Sequence, residues 1–187
     1  MGFFVFLVLV IIMAVTGIGG YNSLIRIRNQ VRNAWKQIDI QLKRRHDLIP
    51  NLVNSVKGQM EFEKETLEGV IHARAEAVNA NSVRDTMAKE DVLSSALSKL
   101  FAVVENYPTL KANESVQPLM EELTTTENQI TFARQFYNDI TTSYNTKLEV
   151  FPANLFAASM GFKFFPLFQV KDAHEREAPA VDLSLKK

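Results

Sequence analysis

The chain contains no cysteine, which excludes disulfides, thiolate metal sites and cysteine nucleophiles. Histidine is scarce: His46, His72 and His174 are all there is for metal chemistry. Lys plus Arg equals Asp plus Glu at 21 each, so the formal charge is zero and no basic excess marks a nucleic-acid partner. No internal repeat is evident. Nothing reads firmly as a strand, since Pro166 breaks the one candidate at 163–170. Gly17, Gly19 and Gly20 lack the lysine that would follow in a phosphate loop.

What the chain does have is an uncharged apolar opening, FFVFLVLVIIMAVTGIGG, beginning at Phe3 and closing at Gly20. Roughly 18 such residues can cross a hydrocarbon core as a helix. No Lys or Arg precedes the run and no small-x-small cleavage site is clear, which argues against a secretory signal peptide. Phe6 stands where a myristoylation signal wants Ser or Thr. An uncleaved single-pass anchor over residues 1–20 is expected. Arg26, Arg28, Arg32 and Lys36 follow it, then Lys43, Arg44 and Arg45, with Asp39 as the one acid among them. Cationic flanks stay in the cytoplasm, so the N-terminus is expected outside and the bulk of the chain inside. Tyr21 stands where an interfacial aromatic belongs, and the basic stretch would face anionic headgroups.

Residues 21–81 carry a helical apolar stripe that includes Trp35, Ile38, Leu42, Ile49, Leu52 and Val56. Pro50 interrupts it, and Asp47 could cap a restarted helix. One kinked helix of roughly 90 Å is expected in preference to two abutting ones. A polar turn at 79–85 precedes a second helix at 86–107, stopped by Pro108. The third begins near Glu114. Leu119, Leu123, Thr126, Ile130, Ala133, Tyr137, Ile140 and Tyr144 give it alternating four- and three-residue steps, a heptad seam that Phe132 and Phe136 widen. A short helix at 154–160, ended by Gly161, lies among Phe151, Phe156, Phe162, Phe164, Phe165 and Phe168. This Phe-rich segment is expected to cap the bundle; contact with lipid or a neighbouring subunit is the other reading. The tail from Ala173 to Lys187 reads as a loose arm or as disordered. The fold class is therefore all-α: an N-terminal transmembrane helix, then an elongated antiparallel bundle of three long helices plus a short C-terminal one. The divisions are 1–20 for the anchor, 21–150 for the bundle and 151–187 for the Phe-rich segment and tail.

Many short segments, in order, resemble the LemA family. They include Asn29 to Trp35, Ile38 to Arg45, Asp47 to Val53, Ala73-Arg74, Tyr107-Pro108, Glu127 to Ile130, Ala133-Arg134, Tyr137-Asn138, Tyr144-Asn145, Phe151-Pro152 and Arg176 to Pro179. Gln59-Met60 departs from the aromatic that many relatives carry there. The resemblance implies a bacterial single-pass inner-membrane protein with a cytoplasmic antiparallel bundle and no agreed biochemical activity. Some relatives belong to membrane-organelle biogenesis or membrane-stress settings, which favours a scaffold over an enzyme.

Three constellations could carry chemistry. Glu68, His72 and Glu76 share one helical face at four-residue spacing, the donor set of a metal-assisted hydrolase and equally an ordinary solvated face. His46-Asp47 reads as a capped helix break. His174-Glu175 lacks the second histidine of a zinc-protease motif. The polar residues of the family segments, Asp39, Arg44, Arg45, Asp47, Arg74, Glu127, Arg134 and Asn138, lie within or beside apolar stripes. Cross-helix pairs of Arg74 or Arg134 with a Glu would set helix register. The expectation is a membrane-anchored scaffold or adaptor without catalytic residues or cofactor. Its partners would be the bilayer and further copies or other membrane proteins, not nucleic acid. A membrane-shaping or lipid-binding module and the hydrolase are the alternatives.

Overall fold

The computed structural model describes residues 1–58, 60, 63–111 and 113–168. Gln59, His174-Glu175, Arg176 to Pro179 and the tail lie outside the described residues. The apolar run is not a separate element. It passes without a break into α1, Gly2–Val56, a single 55-residue helix about 80 Å long. Every large apolar side chain from Phe3 to Ile18 is exposed. From Leu24 onward one stripe turns inward, carrying Val31, Ile38, Leu42, Arg45, Ile49, Leu52 and Val56. α2 (Lys64–Val78) folds back along α1, and α3 (Val83–Glu105) runs outward again. The short α4 (Pro108–Lys111) turns the chain, and α5 (Gln117–Glu149) returns the whole way to the apolar run. Among the described residues there is no strand.

The expected single helix over 21–81 is corrected: α1 passes through Pro50 but stops at Val56. Glycine disfavours helix, and Gly58 lies in the turn that follows. Met60, fully buried, is drawn into the core beneath that turn. A continued helix would instead carry Leu67 and Val70 into solvent. Pro50 itself is accommodated from outside the helix. It has no N–H to give the His46 carbonyl one turn back, and Arg74 Nε of α2 donates to that oxygen at 2.6 Å. Between α2 and α3, Ser82 Oγ accepts from the Asp85 N–H at 3.2 Å. Asp85 accepts from the Asn81 N–H at 3.0 Å, and that hydrogen bond holds its carboxyl below the usual range.

Two apolar cores result. The distal one joins all the helices around Leu52, Val56, Val70, Leu97, Leu100 and Leu123. The proximal one, nearer the apolar run, lies between α1 and α5 around Val31, Ile38, Ile130, Tyr137, Tyr144 and Leu148. The α2–α3 hairpin covers only the distal half of the α1–α5 pair, so the proximal half needs another cover. The C-terminal segment supplies it. The expected helix at 154–160 is a single 3₁₀ turn, Ala153–Leu155, followed by irregular turns that end at Gly161 with φ +76°. Pro152 before and Gly161 after leave too few residues for a stable helix. Phe162 is buried in the proximal core, with Phe156, Phe165 and Phe168 packed against it. Phe151 and Phe164 are exposed. The cap reading thus holds for part of the segment only.

The candidate at 163–170 forms no strand over its described residues, 163–168, and pairs there with side chains; residues 169–170 lie outside the described residues. The Phe165 N–H donates to Asn145 Oδ1 at 3.1 Å, and Asn145 Nδ2 returns a bond to the Phe165 carbonyl at 3.0 Å. Asn138 does the same for Phe168, at 2.9 and 3.1 Å. Pro166 has no N–H to satisfy, and its carbonyl accepts from the Tyr137 hydroxyl at 2.9 Å. Seven helical residues rise about 10.5 Å and three extended residues about 10 Å, so the two asparagines match the segment's pitch.

The heptad seam of α5 is consumed within the bundle: Leu123, Thr126, Ile130, Tyr137 and Tyr144 are buried. Phe132 and Phe136 do not widen it but point outward. Phe132 lies two residues past Ile130, about 200° around the helix.

Losing either asparagine removes two hydrogen bonds, each worth about 1 kcal/mol. Asn145→Ala is expected to speed amide exchange at Phe165 and Asn138→Ala at Phe168, by hydrogen–deuterium exchange. Unchanged protection in both variants would show that the segment is held some other way.

Candidate functional site

Where the two cores meet, α1 and α3 each bury a charge and α5 brings Glu127 to it, with that side chain 39% exposed. Arg45 is 0% exposed and Glu90 is 1% exposed. The Arg45 guanidinium donates to the carboxylates of Glu90 and Glu127 and, at 2.8 Å, to Ser94 Oγ. Ser94 in turn donates to Glu127 Oε1 at 3.0 Å. His46 Nε2 lies 2.7 Å from Glu90 Oε1. Alongside, Arg134 Nη1 donates to Asp91 Oδ1 at 3.0 Å, and its guanidinium sits 4.8 Å from the Phe168 ring centroid.

An isolated charge so placed would be prohibitive; a guanidinium forked between carboxylates is tolerable. Burial pushes the Glu90 carboxyl up, but the hydrogen bond to His46 and the positive charge of Arg45 outweigh it and leave the group below its usual value. Arg45 and Glu90 have no open face toward which a substrate could come. The layer favours one alignment of α1 against α3, because sliding either by a turn strands a buried charge, and Glu127 of α5 adds its bond to Arg45 from the solvent edge.

The other expected residues fall into place around it. Arg45, Glu127 and Arg134 are in the layer, but the acid facing Arg134 is Asp91, not a Glu. Arg74 meets a carbonyl instead of a Glu, and Asn138 holds the C-terminal segment. Arg44 pairs at the surface with Glu122 at 2.8 Å. Asp39 and Asp47 are exposed on α1. Asp47 caps nothing and His46 marks no break, since both lie inside the helix. Of the basic residues after the span, Arg26, Arg32 and Lys36 are exposed, while Arg28 lies 5.2 Å from the Phe162 ring centroid.

Glu68, His72 and Glu76 stand exposed along α2. The hydrolase reading needs an acid from another helix to join them. What reaches Glu76 is Lys89, at 3.6 Å, and Lys64 reaches Glu68 at 3.6 Å. Among the described residues no group of three His, Asp or Glu side chains could hold a metal ion.

Glu90, Asp91 and Ser94 escaped the sequence reading, although a signal was there. The α3 stripe of Leu93, Leu97 and Leu100, extended back by three-residue steps, lands on Glu90 and Met87, which are both buried. A carboxylate inside an apolar stripe demands a buried partner.

The LemA family model matches residues 34–183. The chain belongs to the LemA family. Protein LemA of Metamycoplasma hominis is 30% identical over 171 residues, covering 89% of this chain and 75% of that protein. Magnetosome protein MamQ 2 of Paramagnetospirillum magneticum is 25% identical over 179 residues, covering 82% of this chain and 66% of its own length. MamQ of Magnetospirillum gryphiswaldense is 22% identical over the same number of residues, with equal coverage. The matched region takes in the whole polar layer of this LemA-family chain, and α1 is its one helix, among the described residues, long and apolar enough to cross a membrane.

Two predictions test the layer and its neighbour. With Pro50→Ala, an amide returns to the His46 carbonyl, so Arg74→Met should cost about 1–3 kcal/mol in the native background and much less in the Pro50→Ala background. Additive losses in a double-mutant cycle of chemical denaturation would exclude that pairing. Because the Glu90 carboxyl is lowered in the fold, its stabilisation is complete above the ordinary carboxylate range and is lost as pH falls through the lowered value. Glu90→Gln should therefore melt lower at neutral pH yet lose less on acidification to about pH 3; parallel pH profiles would contradict this.

Proposed function

We propose that this protein is a membrane-anchored scaffold or adaptor, without catalytic activity, whose bundle stands in the cytoplasm and associates with further copies of itself. Supporting the anchor are the exposed apolar third of α1 and the cations that follow it. Those cations favour an N-terminus outside and the bundle inside, at the inner membrane of a bacterium. In favour of a structural role is the layer itself: its central charges are spent on each other and sealed from solvent.

One observation carries the self-association. Ile40, Phe132 and Phe136 are 63%, 70% and 49% exposed and line one shallow groove between α1 and α5 with Gln37, Gln41, Gln129 and Ala133. No charged residue lines it. A second copy related by a two-fold axis would meet apolar surface without like-charge repulsion. The purified full chain in mild detergent should grow in mass with concentration, and Phe132→Glu with Phe136→Glu should hold it monomeric. A native chain that stays monomeric at every concentration would defeat the self-association.

A further inference from the structure

We infer that the turn at 150–160 is a second membrane contact, with Phe151, Leu155 and Met160 entering the lipid interface beside the point where α1 leaves it. The inference rests on the reading that residues 3–20 cross the bilayer.

The turn lies at the height where the apolar run ends. α5 is antiparallel to α1, and Lys147 Nζ lies 2.6 Å from Ser23 Oγ. Three residues further along each helix, toward the apolar run, Val150 comes level with Gly20; the remaining step is about 4.5 Å. The turn after Val150 is held at that level. A Cβ on Gly20 would lie 3.5 Å from Phe156 Cζ, and the Tyr21 and Phe162 rings meet edge-on at 5.8 Å. The turn therefore stands at the base of the bundle, level with the end of the apolar run.

The turn also divides its side chains between two faces. Ala153, Ala157 and Phe162 are buried in the proximal core. Their neighbours face the other way: Phe151 is 76% exposed, Leu155 74% and Met160 53%. Large apolar side chains left on the outer side, beyond those turned into the core, are the reverse of what a solvated turn needs. It suits a short amphipathic element lying in the interface, whose apolar side chains reach about 5–10 Å into the headgroup–acyl boundary. Continuity with the span decides the occupant. A soluble partner would have to wedge itself between this turn and the lipid around Gly20, whereas the bilayer is already there. Arg26, exposed one turn above Tyr21, and Lys163, just past the turn, place cations at headgroup height.

The test uses the full chain in vesicles of phosphatidylcholine and phosphatidylglycerol. Because the sequence has no cysteine, Leu155→Cys, Ile11→Cys and Thr109→Cys each give one labelling site, for an environment-sensitive fluorophore. The Ile11 site reports on the span and the Thr109 site, on α4, on the far end of the bundle. Lipid carrying a nitroxide near the top of its acyl chain should quench the Leu155 probe about two-fold more than the Thr109 probe, while aqueous iodide does the reverse. Iodide quenching of Leu155 equal to that of Thr109, with the Ile11 probe quenched by lipid, overturns the inference and leaves the anchor intact. Protection of Leu155 from both quenchers also overturns it, since a protein surface then covers the turn. An Ile11 probe that lipid carrying its nitroxide deep in the acyl chain does not quench overturns the anchor and this inference together.

Discussion

Arg45 is the residue on which the rest of the fold depends. A guanidinium fully out of water must find anions fixed in place, and in this bundle they come from two other helices, Glu90 on α3 and Glu127 on α5. Apolar packing alone would tolerate several registers of three long helices, since each stripe repeats every turn or two. The ionic layer removes that freedom. It also divides the interior, with aliphatic packing on the distal side and aromatic packing on the proximal side. Its net contribution to stability is small beside its effect on alignment, because desolvation consumes most of the Coulombic gain.

From that alignment follows the second structural problem, the unequal length of the helices. α2 and α3 are too short to accompany α1 and α5 along their whole course, so the proximal half is a two-helix hairpin with an open side. An irregular segment can close it only if its backbone polar groups are met. Asn138 and Asn145 meet them in register, and the Phe168 ring stacks on Trp35 while Phe168, Phe165 and Phe162 meet Tyr137, Tyr144 and Tyr21 edge-on. The extended segment takes the place of the missing helix pair, using side-chain amides as its ladder.

Much of this could be read from the chain. The apolar run, the inward stripe of α1 and the stop at Pro108 are local signals, and local physics fixes them. The end of α1 is not legible locally because the competition is tertiary: a helix former could continue past Val56, but burying Met60, Leu67 and Val70 requires a reversal. Hydrophobicity alone places Phe132 and Phe136 on the seam, whereas their angular position puts them outside it. The partners of Arg74 and Arg134 were wrong in kind because sequence offers the donor without its acceptor. A carbonyl freed by a proline is invisible until the helix carrying it is laid beside α2. The asparagine ladder was hidden for the same reason, since each asparagine takes its meaning from backbone 20 to 30 residues away.

The unbroken course of α1 has a mechanical corollary. The helix runs unbroken through Pro50, and Arg74 takes up the His46 carbonyl that the proline leaves free, so from Gly20 to Val56 it is about 54 Å of continuous rod. If its apolar third lies in lipid, a change in bilayer thickness that tilts the span by about 10° sweeps Val56 sideways by roughly 9 Å. Such a lever would translate the geometry of the membrane into displacement at the tip of the bundle, with no change in any contact within the fold.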